Sequence, residues 1–157
     1  MNIATGSFTT PLTNLTGVNG IHTTGPKSGS GYLYRADHLS LQLSRIPIDA
    51  ATATALGPAE ILADNRLVDD FALRVDKHTG AGKAYLGTLW ENSVVEVAFG
   101  APPSAGLGVE RLVAGSLGGI CTVVVFGRRG SDKNVLYASV GQGGGSAQIV
   151  ALDVGSL

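Results

Sequence analysis

Between Gly119 and Gly141 the chain holds its densest β signal. Residues 120–126, ICTVVVF, form a short run of β-branched and apolar side chains. Seven residues are too few for a typical helix, and Val and Ile at this density suit a pleated surface. The run shows no polar alternation, which predicts a strand covered on both faces. A polar turn follows at residues 127–134, GRRGSDKN, and a second strand-like run at residues 135–140. Together they predict a β-hairpin at the centre of an all-β domain.

The rest of the chain extends that reading. From Asp70 onward, Phe71, Leu73 and Val75 alternate with Ala72, Arg74 and Asp76. A Gly-containing loop at residues 78–82 precedes a second candidate strand, residues 83–90, and Val95, Val97 and Phe99 alternate in a third. These three predict an antiparallel meander with one buried and one wet face. Trp90 is expected in the core. Residues 110–117 and 147–154 supply two more strands, with Val150, Leu152 and Val154 on one face. Leu39, Leu41 and Leu43 alternate within residues 32–43, and Pro58 could open one short helix over residues 57–63. Many short strands with Gly-rich separators predict an antiparallel β-sandwich or barrel, jelly-roll-like, with at most that one helix.

Residues 1–31 read differently. Thr, Gly, Asn, Ser and Pro dominate, Lys27 is the only charge, and single apolar residues recur at Ile3, Phe8, Leu12, Leu15, Val18 and Ile21. Asn19-Gly20 and Gly25-Pro26 interrupt any regular element. Spaced anchors predict an extended arm lying against a surface. That surface is either the chain's own domain, with the arm as a first edge strand, or a neighbouring subunit. The domain plan is an arm at 1–31 and a single β domain at 32–157.

Charge narrows the function. Only 15% of the 157 residues are charged, against roughly 25% in typical soluble domains. Mean hydropathy is +0.24. No apolar run approaches the roughly 20 residues of a membrane span. The start lacks the basic and apolar regions of a secretory signal, which predicts synthesis inside a cell. Either small neutral residues make the surface, or copies and partners cover much of it. Eleven basic and twelve acidic residues, net −1, leave no electrostatic footprint for nucleic acid.

Motifs for chemistry are absent or broken. Residues 80–84, GAGKA, lack both the upstream glycine and the hydroxyl residue of a phosphate-binding loop. The glycines at 141–145 precede a strand rather than a helix, so no dinucleotide turn is expected. His22, His38 and His78 form no ligand pattern with metal spacing, and Cys121 reads as a buried small hydrophobe. No serine nucleophile context occurs. Asp64, Asp69, Asp70, Glu91, Glu96 and Glu110 offer carboxylates, but nothing pairs them. The expectation is no enzyme, no cofactor and no metal. Arg128, Arg129 and Lys133 make the densest basic patch, on one hairpin tip. It serves either as a solvated turn or, through arginine's bidentate geometry, as an ion-pairing contact.

In layout, a Thr/Gly/Asn-rich arm with spaced apolar anchors ahead of Gly- and Ala-rich strands, the chain resembles the small decoration, or cement, proteins of tailed-bacteriophage capsids. The resemblance spans the whole chain in outline and carries over no residue. It implies a virion protein forming a symmetric homo-oligomer, a trimer by preference, clamped to a major capsid protein by arms and strand edges. No nucleic-acid or membrane partner is expected. Phe8, Leu12 and Leu15 are the expected anchors, with Arg128 and Arg129 as ion-pair candidates. Alternatives are a tail or fibre component, a carbohydrate-binding β-sandwich using Tyr32 and Tyr34, and a small barrel enzyme using the carboxylates.

Overall fold

The computed structural model describes residues 12–13, 15–25, 29–76, 78–102, 106–141 and 145–155. Eleven strands run through them, antiparallel, in three sheets. The first sheet holds β1 (Val18–Thr24), β2 (Ser30–Asp37), β3 (Gln42–Asp49) and β4 (Glu60–Ala63) in chain order. The second holds β5 (Val68–Val75), β6 (Gly82–Thr88), β7 (Ser93–Phe99) and β8 (Val109–Ala114), also in chain order. The third, ordered β11-β10-β9, holds β9 (Ile120–Phe126), β10 (Val135–Gly141) and β11 (Ala147–Asp153). Each sheet is a meander, so the all-β fold is sandwich-like, neither a closed barrel nor wound by jelly-roll crossovers. Among the described residues no helix is long and apolar enough to cross a membrane.

The second sheet is the middle of three layers. Phe71, Ala84, Leu86, Val95 and Val97 pack on one side with Tyr34, Ala36, Leu43 and Leu62 of the first sheet. Ala72, Tyr85 and Val94 pack on the other side with Cys121, Val124, Leu136, Ala138 and Val140 of the third. Neighbouring residues of one strand thus enter different cores, as the period of two requires.

This stacking overturns two expectations. The strands between 70 and 99 have no wet face. Three of their polar positions are buried with partners instead: Thr88 Oγ1 lies 2.7 Å from Ser93 Oγ, and Glu96, 5% exposed, meets Arg111 at 3.1 Å and Lys83 at 3.5 Å. A satisfied buried polar group is tolerated, so alternation in sequence does not report water. Conversely, the continuous run of β9 is covered on one face only. Ile120, Val123 and Val125 are 49%, 43% and 45% exposed, and the β9–β10 hairpin is an outer layer, not the centre.

Two devices hold the third layer down. β9 crosses β5, β6 and β7. At Gly87 of β6 an added Cβ would stand 3.1 Å from Cys121 Sγ and 3.3 Å from its carbonyl oxygen, so glycine permits the crossing. Arg74 of β5 reaches up to the β10–β11 end. It donates to the carbonyls of Gly155 at 2.5 Å and Lys133 at 2.6 Å, and its guanidinium lies 4.1 Å from the Phe126 ring centre.

Smaller corrections follow from turn chemistry. The stretch 32–43 is two strands, because Asp37 accepts from the amides of Leu39 and Ser40 at 3.0 Å and Leu41 takes φ 58°. Leu39 is consequently 68% exposed while Leu43 is buried. Asp49 and Asp76 cap their turns in the same way, each binding the amide three residues on and the hydroxyl of that threonine. Those bonds hold both carboxyls below their ordinary range. The helix expected over 57–63 is instead β4, where Glu60 pairs with Arg45 across the ladder and Leu62 enters the core. A one-turn helix cannot match that gain. Within the expected arm, residues 18–24 are β1, paired to β2. Trp90 is not in the core: it stands 78% exposed on the β6–β7 turn.

Candidate assembly surface

Register places one residue set of the third sheet toward the core and the other toward the outside. Val125, Tyr137 and Ala151 are cross-strand neighbours, as are Val123, Ser139 and Ile149, and Ile120, Gly141 and Ala147. Val135 and Asp153 complete the outer face at one corner. Ile149 is 68% exposed, more than any of the three β9 side chains. Among the described residues Asp153 is the sole carboxylate or ammonium position on this face. Three strands of seven residues give a face of about 340 Å², within the size of the largest apolar patch on an ordinary monomer. On β8, Val109 and Leu112 are 74% and 62% exposed, on opposite faces of the strand.

The basic tip adjoins the corner of the outer face that holds Val135. Asp132 builds it: its carboxylate accepts from the Arg129 amide at 2.7 Å and from the Tyr137 hydroxyl at 3.4 Å, and its carbonyl accepts from the Val135 amide at 2.8 Å. Gly127 is required there, since a Cβ would fall 2.4 Å from Asp132. Arg128 and Arg129 are displayed in solvent, and among the described residues neither makes an ion pair. Leu15 lies exposed and Leu12 half-buried ahead of β1, apart from this tip in the chain. Phe8 lies outside the described residues.

The alternative sites take other shapes. Tyr34 is fully buried and Tyr32 partly so, their rings 6.4 Å apart and that of Tyr32 over Arg45, so they make no exposed aromatic platform. Among the candidate carboxylates, Glu91 and Glu110 both engage Arg66, at 2.5 Å and 2.6 Å, in a groove of about 580 Å³. Burial pushes the Glu96 carboxyl up, but Arg111, Tyr85 and Lys83 outweigh it and hold the group below its ordinary value. The Tyr85 phenol is pushed up to about 12 by burial and then by Glu96. Burial, then Asp69, pushes the Cys121 thiol up to about 11, which leaves it unreactive.

Residue reading missed the outer face because a strand with apolar residues on both sides looks the same whether one layer or two cover it. The unused signal was register: once β9 pairs with β10, Val123 and Val125 must share a side with Ile149. No protein-family model matches this chain, and no curated protein matches it either.

Proposed function

We propose that this chain is a non-enzymatic assembly protein, a symmetric homo-oligomer that decorates and stabilises the capsid of a phage particle. One observation carries the reading. The outer face of the third sheet presents Ile120, Val123, Val125 and Ile149 to solvent with a charge only at its Asp153 corner. The largest apolar patch of a protein is often its functional one, and a lattice-bound protein buries such a face. At roughly 25 cal/mol per Å², covering about 340 Å² contributes several kcal/mol per copy, and symmetry multiplies it. Arg128 and Arg129, displayed beside the face, suit carboxylates on the neighbouring surface. The anchors of the arm, Phe8, Leu12 and Leu15, add to the same grip.

The test is a double substitution, Val123→Lys with Val125→Lys, in co-sedimentation with capsid shells. Both sites are exposed, so stability is expected to change by less than about 0.5 kcal/mol per site. Shell binding is expected to weaken at least about thirtyfold, since each of the two ammonium groups pressed on an apolar surface costs more than about 1 kcal/mol. Binding at the unsubstituted level would remove this face from the function.

A further inference from the structure

We propose that β11 is the seam between two copies, pairing antiparallel with β11 of a second chain about a two-fold axis at Val150. The inference rests on the assembly reading and says which edge performs it.

Among the described residues six strands form sheet edges, and a bare edge invites pairing unless something blunts it. Five are blunted. β1 and β5 lie against each other, with the Asn19 side chain bonded to Asp69, and both ladders carry an irregularity. β4 has only four residues, and its Leu62 carbonyl accepts from the Gly108 amide at 2.7 Å. β8 carries Glu110 and Arg111 in mid-strand, beside a bulge in its ladder. The β9 ladder breaks opposite Ser139 and Val140. β11 differs from all of these. Its seven pairs with β10 run unbroken from Gly141–Ala147 to Val135–Asp153, and its single charge, Asp153, comes last.

The free groups can be assigned. The Val154 amide donates to the Asn134 carbonyl at 3.1 Å. Antiparallel ladders alternate, so Gln148, Val150 and Leu152 also turn their backbone groups to β10. Ala147, Ile149, Ala151 and Asp153 then present theirs to the other edge, where no strand pairs with them among the described residues. A two-fold axis at Val150 pairs Ile149 with Ala151 and Ala147 with Asp153, joining those four residues with their counterparts. It also sets the two Asp153 carboxylates about 20 Å apart, at opposite ends, where they do not repel. Parallel pairing would place them side by side. The joined sheet has six strands and doubles the apolar outer face to about 680 Å², close to the roughly 800 Å² per partner of a standard interface.

Ala151→Pro tests the seam. Its amide points to the open edge, so proline removes the intermolecular donor and spares the β10 ladder. Sedimentation of the purified wild type is expected at twice 16.0 kDa, and the variant is expected to dissociate at least about tenfold more readily. Amide exchange gives a readout without substitution: Ile149 and Ala151 exchange slowly in the dimer and fast on dilution, while Val150 and Leu152 stay slow. A three-copy mass, or a dimer unaffected by Ala151→Pro, would overturn the seam and leave the assembly reading standing. A lone chain at every concentration that also ignores capsid shells would overturn both.

Discussion

Replacing Tyr85 by Ala is expected to lower stability by about 3–5 kcal/mol, the range for removing a large buried aromatic side chain. Tyr85 is 1% exposed and meets the Phe126 ring edge-on, with centroids 5.3 Å apart. Its phenol also binds the Glu96 carboxylate. The substitution opens a cavity between the middle and outer layers and weakens the ionic cluster of Lys83, Glu96 and Arg111. The residue decides between two architectures. In a two-layer sandwich the Tyr85 side of β6 faces water, and its loss costs tenths of a kcal/mol. Urea unfolding measures the difference directly. A change below about 1 kcal/mol would contradict the three-layer stack.

Arg45→Ala is expected to cost a similar amount, about 3–5 kcal/mol, because it removes a large, fully buried side chain together with its ion pair and carbonyl bonds. The Arg45 side chain is fully buried. Nε lies 2.8 Å from the Glu60 carboxylate, and Nη1 donates to the carbonyls of Gly100 at 3.1 Å and Gly80 at 3.3 Å. The guanidinium also lies 5.4 Å from the centre of the Phe99 ring and 5.6 Å from that of Tyr32. Alanine removes the donor that reaches Glu60 and both carbonyls and empties the space between the rings. Lysine is not a substitute, since it lacks the planar fork that serves three acceptors at once. Arg45→Lys is therefore expected to recover only part of the loss in the same unfolding assay. Full recovery would show that charge alone, not geometry, is what the site needs.

Much of the strand plan was legible in the residues. The alternation of Phe71, Leu73 and Val75, the run at 120–126 and the turns between them mark real strands with boundaries shifted by a few positions. Their layering was not legible. A period of two says that a strand has two faces and nothing about what covers each. Glu96 looks like a solvent residue until Arg111 and Lys83 are seen to reach it. Val123 looks like core until it is seen 43% exposed, with no layer over the third sheet among the described residues. The helix expected at 57–63 rested on one proline, whereas the Arg45–Glu60 pair that selects a strand is a long-range contact. Local turn chemistry was readable in principle: Asp49 with Thr52 and Asp76 with Thr79 repeat one Asp-x-x-Thr cap. As for the candidate surface, its Arg tip was visible in sequence. Its apolar face needed register, and the bare edge of β11 needed the strand order.

The most direct measurement uses the quiet thiol of the wild type. Cys121 is buried, with its thiol pushed up to about 11, so Val125→Cys places a single reactive thiol on the outer face. Maleimide labelling of that variant is followed in free protein and in protein bound to capsid shells. Labelling at least about tenfold slower on the shell is the predicted result, because a covered interface core excludes water and reagent. Equal rates in the two states would mean that the face stays open in the working assembly, and the account would fail.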